Sequence, residues 1–508
     1  MNSLILDGNS LSIRDCAGFL RHNLPISIDD NAISRMEDSR KIVEKAITSG
    51  ETYYGINTGF GKLADVRIDN EQMAQLQINL VRSHAAGVGD PYPKDIAKLM
   101  MMLKVNALAK GYSGCRPVIA ETLVQICNAG IYPIIPSKGS VGASGDLAPL
   151  AQIALTAIGE GEIIYRGRKY PSLFALNLEG IRPVTLEAKE GLAILNGTQA
   201  SLATGIEAYI RLENLVKAAD IIGATSVEAL KGTNTPFREE IHAIRGHEGQ
   251  RKSAQNLYAL LQDSEIHESH RNCGKVQDMY SLRCMPQVHG AVRDTMEYAR
   301  TTLTTEMNSC TDNPVVLPET GEIISGGNFH AEPVGLVLDS LATAAAELGS
   351  ISERRTAAML DPGMSQMPAF LTSDSGLQSG YMMPQVTAAA LVSENKLLAN
   401  PSSVDSIPTS ANQEDHVSMA PYAARKLGEI VSNLEHILAI EWLCAVQGLD
   451  FKNDLEPAKC LQPVYEVLRE TVPPWAEDRI HSRDINEAVS LLRNGRLVEA
   501  VENVCSLE

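Results

Sequence analysis

The chain has 508 residues, roughly three domains' worth of core at about 150 residues each, and its 62 acidic against 44 basic residues leave a net charge of −18. So acidic a surface repels phosphate backbones, and with no run of Lys and Arg to offset it, nucleic acid is excluded as the main partner. Only 5% of residues are aromatic and 21% charged, while aliphatic residues carry most of the 44% hydrophobic share, a balance that favours packed helices over a β-sandwich.

The opening residues, MNSLILDGNS, place Asp7 where a signal peptide needs its apolar stretch. The nine cysteines are scattered without a C-x-x-C pair, so reduced thiols and a cytoplasmic address are expected. The first ~140 residues mix short apolar runs with helical patterns. Within them YGINTGFGK, residues Tyr54 to Lys62, has four Gly or Asn residues and reads as a loop. Next comes SKGSVGASGDLAPL, Ser137 to Leu150, where Gly139, Gly142 and Gly145 punctuate small residues ahead of a helix-like apolar stretch. That stretch, Leu147 to Gly159, falls short of the ~18 to 20 residues needed to cross a bilayer, and no membrane span is expected. From Glu187 onward the pattern changes. Pro333 to Asp361, Gln385 to Ala399 and Val417 to Gly448 show helical spacing with few breakers, which predicts long helices packed side by side. The fold expected is mostly α, a central bundle of long helices with a mixed N-terminal lobe. Without repeats or low-complexity linkers the division is approximate: an N-terminal lobe over 1–190, a bundle over 191–450 and a helical end over 451–508.

The Gly-rich segment at 137–150 admits several readings. A phosphate-binding P-loop needs Lys and then Ser or Thr after its last Gly, but Asp146 and Leu147 follow Gly145. A nucleophile elbow needs G-x-S-x-G, but the glycine after Ser144 comes one place too early. A plain Gly-rich turn ahead of a helix, with Ser144 or Asp146 as N-cap, stays open on these residues alone.

Ala143-Ser144-Gly145 resembles the self-processing triad of the aromatic amino acid ammonia-lyases. In that family the backbone cyclises and loses water to form 4-methylidene-imidazol-5-one (MIO). The residue types suit that chemistry. Attack of the Gly145 nitrogen on the Ala143 carbonyl needs minimal side chains, and Ser144 supplies the hydroxyl that leaves. The product is an electrophile that no ordinary side chain provides. Further blocks are similar to family motifs in order and spacing: Tyr54 to Gly61, Asn196-Gly197-Thr198-Gln199, Gln277 to Arg283, Ser325 to His330 and Asn412 to His416. The resemblance runs from about residue 50 to about 450.

It implies a role for each candidate. Ammonia removal breaks a β C–H bond too weakly acidic for a side-chain base, so the electrophile must first capture the substrate's amine or its ring; amine capture is favoured here. Tyr54 would be the base, on a mobile loop that excludes water, and its ordinary pKa near ~10 would have to be lowered to act at neutral pH. Arg283 would hold the substrate carboxylate through its guanidinium fork. Tyr280 would join the active-site hydrogen bonds, while Gln277, Asn196 and Phe329 would surround the cofactor, Asn196 bonding its carbonyl and Phe329 packing beside its ring. Ser83-His84 is similar to the ring-contacting pair of the histidine-specific members. A carboxylate at Glu414 can accept from an imidazole N–H, whereas against a phenyl ring it would be buried unpartnered, at several kcal/mol. The substrate implied is L-histidine, giving trans-urocanate and ammonia in histidine degradation, by a homotetramer with shared active sites. Alternatives are a tyrosine or phenylalanine lyase or aminomutase of the same family, or a non-catalytic helical scaffold.

Two other signals are set aside. His267-Glu268-Ser269-His270 spaces its histidines three apart where H-E-x-x-H needs four, and reads as a polar loop; no metal is expected. Cys273 and Cys284 fit neither a zinc ribbon nor a redox pair.

Overall fold

The computed structural model describes residues 3–49, 51–271, 273–452 and 455–508. The protein is mostly helical, and its long helices form a bundle. By compactness the chain divides into two units, each assembled from separated segments: Met1–Glu207, Arg300–Asp339 and Pro401–Arg425 in one, and Ala208–Ala299, Ser340–Asn400 and Lys426–Glu508 in the other.

The first unit is the mixed lobe. All the strands among the described residues fall in it, in small sheets. Leu4–Leu6 pairs in parallel with Ile26–Ile28, and Ile131–Pro133, Glu162–Tyr165 and Arg168–Pro171 form an antiparallel sheet. Its core is the helix Lys94–Ala109, buried on every side from Ile96 onward. A helix without a polar face has to satisfy its few polar side chains internally. Lys98 accordingly donates to Phe19 O and Asn23 Oδ1, and Asn106 bonds Met307 O and the Gly8 N–H. The helix Ile13–His22 starts with a capping box, in which Ser12 and Asp15 satisfy each other's backbone N–H, and stops at Asn23 in the left-handed region.

The second unit is held by buried polar links between long helices. Arg355 and Glu441, both fully buried, pair at 2.5 and 2.8 Å, and Ser226 donates to the same carboxylate. Glu435 accepts from Arg211 and Arg493. Asp220 accepts from Ser253, Asn256, His289 and Arg293. Burial alone would raise the Asp220 pKa, but the charge of Arg293 and the hydrogen bonds from His289 and Asn256 outweigh it and bring it down to about 2.

The helices expected over Pro333 to Asp361, Gln385 to Ala399 and Val417 to Gly448 run over Glu332–Leu360, Met382–Leu398 and Ala420–Asp450. Gln199–Ala229 and Met285–Met307 are two further long helices. The His267 to His270 segment departs from the loop expectation, because Ser264 caps a helical turn over Glu265–Glu268. Glu332–Leu360 has the length and apolar composition to cross a membrane, but 67% of its apolar window is buried inside the protein.

Candidate active site

The triad lies in a loop compressed against two other segments of the first unit. Gly145 has φ +72°, and a Cβ there would lie 2.6 Å from the Gly197 carbonyl carbon. The two glycines form a parallel bridge, and the Asp146 N–H donates to Gly197 O at 2.7 Å. Gly142, at φ +70°, would drive a Cβ into Ser418 Oγ. Ser418 donates to Gly142 O at 3.2 Å, and the Met419 N–H donates to Val141 O at 2.9 Å. Only glycine fits at 142 and 145, as the tightly folded backbone of the family triad requires. The helices Leu147–Ala157, Gln199–Ala229 and Ala420–Asp450 all begin beside these contacts, so the partial positive charge of their N-termini surrounds the loop.

Asp146 is the N-cap of Leu147–Ala157, but its carboxylate makes no cap bond. It accepts instead from Ser201 N–H at 2.7 Å and Ser201 Oγ at 2.9 Å, locking the loop to the next helix. Burial pushes its pKa up to about 6, against those hydrogen bonds.

Tyr54, Ser83, His84, Ala143, Ser144, Gly145, Asn196, Phe329 and Glu414 line one cavity of about 1150 Å³. That is ample for a small amino acid. Gly61 N–H donates to the Tyr54 phenolic oxygen at 3.2 Å, fixing its direction. Ser83 and His84 end the helix Met73–His84. His84 Nδ1 lies 2.8 Å from Leu80 O, which can only accept; Nδ1 therefore carries the hydrogen, and in the neutral ring Nε2 is the acceptor. Ser144 Oγ donates to Glu414 Oε1 at 2.8 Å, and Thr409 and Ser410 donate to Oε2 at 2.7 and 3.0 Å. The carboxylate thus has partners of its own, which the sequence argument about a phenyl ring did not foresee.

Beneath the loop lies a buried charged layer that no motif announced. Lys104 donates to Asn196 O at 2.5 Å and to Ala193 O at 3.3 Å, and burial lowers its pKa to about 8. Lys189 pairs with Asp312 at 2.6 Å. The other oxygen of Asp312 accepts from Asn196 Nδ2 at 3.2 Å, and the same nitrogen donates to Asn313 O at 3.0 Å. Both hydrogens of the Asn196 amide are committed downward, and its Oδ1 is buried without a partner. The expected bond from Asn196 to the cofactor carbonyl would require this amide to turn.

Gln277, Tyr280 and Arg283 belong to the second unit. Gln277 and Arg283 line a cavity of about 1440 Å³ there. Tyr280 is 72% exposed, with the Arg283 guanidinium 4.5 Å over its ring, and Arg283 Nε is buried without a partner.

An Ala-Ser-Gly loop held this tightly in a mostly helical chain points to a lyase, and the comparison with known proteins agrees. The chain belongs to the aromatic amino acid lyase family, whose model matches residues 11–470. It is 49% identical over 516 residues to a histidine ammonia-lyase of Koribacter versatilis, covering 99% of this chain and 100% of that one. It is 50% identical over 499 residues to a histidine ammonia-lyase of Enterobacter sp. strain 638, covering 98% and 99%. Among solved structures it is similar to histidine ammonia-lyase from Trypanosoma cruzi, with TM-score 0.92, 42% identity and coverage of 99% and 95%. Tyrosine aminomutase from Streptomyces globisporus superposes with TM-score 0.95 at 35% identity, each chain wholly covered.

Proposed function

We infer that the chain is an ammonia-lyase that converts L-histidine to trans-urocanate and ammonia by non-oxidative deamination. The observation that carries this reading is Glu414 Oε1, which faces Ser144 across 2.8 Å in a cavity also lined by Ser83 and His84. When the Ser144 hydroxyl leaves as water, Oε1 loses its donor while Thr409 and Ser410 still hold Oε2. An imidazole N–H is the replacement donor that histidine brings and a phenylalanine ring lacks; tyrosine's phenol is a donor too, and against it the reading rests on Ser83-His84, the pair similar to that of the histidine-specific members. The aminomutase likeness matches the fold equally well, at 35% identity against 49–50% for the histidine ammonia-lyases.

The residues fit formation of MIO from Ala143-Ser144-Gly145: the loop is compressed, only glycine is tolerated at 145, and helix N-termini surround it. MIO supplies an electrophile that activates the substrate for loss of ammonia. The remaining work falls to the chain's own side chains. Tyr54, directed by Gly61, takes the β proton on its phenolic oxygen. His84 and Glu414 hold the imidazole ring, Arg283 holds the substrate carboxylate, Tyr280 joins the active-site hydrogen bonds, and Phe329 and Gln277 would surround the cofactor.

A homotetramer with shared active sites accounts for Gln277, Tyr280 and Arg283. Tyr280 and Val276 are 72% and 98% exposed, and Arg283 has an unpartnered buried nitrogen beside them, a surface suited to completing another subunit's site. Nine free thiols suit a reducing, cytoplasmic setting.

Incubation with L-histidine, L-tyrosine and L-phenylalanine, followed by the ultraviolet absorbance of the conjugated acids, tests the substrate. Urocanate is expected; cinnamate or coumarate in its place overturns the assignment. Intact mass should be two waters short of the sequence mass, and an unprocessed mass overturns the MIO reading.

A further inference from the structure

One wall of the triad cavity carries two histidines that stand apart from the residues assigned to the lyase reaction. His330 and His416 line it with their rings nearly parallel, centroids 5.8 Å apart at 8°. Glu332 opens the helix Glu332–Leu360, and one ligand-type atom from each of the three residues lies within 4.8 Å of the others. All three belong to the first unit.

The proton inventory distinguishes this cluster from an ordinary polar contact. His330 Nε2 lies 3.4 Å from the His416 carbonyl oxygen. That oxygen only accepts, so Nε2 carries the hydrogen, and in the neutral ring Nδ1 keeps its lone pair. The lone pair faces Glu332 Oε2 at 4.0 Å, and Oε2 is buried without a hydrogen-bond partner. Two electron-rich atoms face each other, too far apart for a hydrogen bond and spaced for a cation to sit between them. The bond from Nε2 to a backbone carbonyl is also the outer contact that orients metal-ligating imidazoles.

We propose that His330, Glu332 and His416 form a binding site for a borderline divalent transition ion of the Zn2+ class, with a coordination position open to the cavity. Two imidazoles and a carboxylate are an established Zn2+ donor set. Bonds of about 2.0–2.2 Å put ligand atoms about 3.4 Å apart, so the widest pair must close by about 1.4 Å. The exposed side chain of His416 can supply that movement by rotation. Motif reading could not find the site, because its ligands are scattered between positions 330 and 416. The proposal does not rest on the histidine reading.

The test uses the full-length protein with Cys273→Ser, which removes the exposed thiol, in histidine-free buffer. ZnCl2 is titrated by calorimetry, and CoCl2 by visible absorption. One ion per chain is expected, with cobalt bands free of thiolate charge transfer. Glu332→Gln and His416→Asn should each raise the Zn2+ Kd at least tenfold and abolish the cobalt bands; His416 is exposed, so its replacement leaves packing intact. His84→Asn should leave Zn2+ binding unchanged. The proposal is overturned if the parent protein shows no single saturable site, as a simple His330–Glu332 ion pair would give. It is equally overturned if Glu332→Gln and His416→Asn bind like the parent, or if His84→Asn abolishes binding.

Discussion

Replacing Glu414 separates recognition of the imidazole from general damage to the site. In the processed enzyme Oε1 is free to accept a charge-assisted hydrogen bond, worth about 1.5–3 kcal/mol. Glu414→Ala removes it, and at about 1.4 kcal/mol per decade kcat/KM for L-histidine should fall about 10- to 150-fold. Glu414→Gln keeps a neutral partner worth about 0.5–1.5 kcal/mol, so the expected fall is smaller, about 5- to 13-fold. The Thr409 and Ser410 hydroxyls can still bond the amide, so the loop should keep its shape. L-Phenylalanine has no ring N–H to lose, and its slow turnover should hold or rise once the carboxylate is gone. Because Ser144 donates to Glu414 before processing, intact mass must first show that each variant has matured. Initial rates by ultraviolet absorbance with both substrates then give the ratio. An equal fall for both substrates, or no fall for L-histidine, refutes the recognition argument. A loss beyond about 1000-fold confined to kcat would reassign Glu414 to proton transfer.

Other expectations follow from the same geometry. Ser144→Ala and Tyr54→Phe should each lose most activity, the first with an unprocessed mass and the second with a processed one; near parental turnover in either contradicts its role. Gly145→Ala should stay unprocessed, since its Cβ would collide with Gly197 and its φ of +72° costs a side chain about 1–3 kcal/mol; a matured, active variant refutes the compression argument. Ser144→Ala and Arg283→Met chains, inactive alone, should regain activity when co-expressed if sites are shared, and failure to complement counts against sharing. Asp220 titrates near 2 when folded against an ordinary 3.8, so its stabilisation is present above about pH 4 and lost as pH falls towards 2, about 2 kcal/mol in all. Asp220→Asn should therefore be less stable at pH 7 and show a flatter acid limb in unfolding experiments; an unchanged pH slope refutes the linkage.

The expected helices at 333–361, 385–399 and 417–448 lie within a few residues of the observed ones, because long apolar periodicity survives tertiary packing. Gln199–Ala229 escaped notice because Arg211, Asp220 and Glu228 interrupt its apolar pattern, and those side chains find hydrogen-bond partners within the fold. Two units built from discontinuous segments leave no mark on composition. Of the site, Tyr54, Ser144 and Glu414 were legible through local motifs. The hydroxyls of Thr409 and Ser410, the Gly197 bridge and the Lys104 and Lys189 layer depend on approaches between distant segments. The amide of Asn196 shows the cost: motif reading assigned it a partner above, while Asp312 and Asn313 hold it from below.

The contacts that compress the triad come from Gly197, Ser201, Ser418 and Met419, all C-terminal to it. During synthesis the Ala-Ser-Gly segment leaves the ribosome long before the last of these exists. The squeeze is complete only when residue 419 has emerged and docked on Val141. On the proposed MIO chemistry, maturation would wait for the near-completion of translation, and a chain terminated before residue 419 would stay unprocessed.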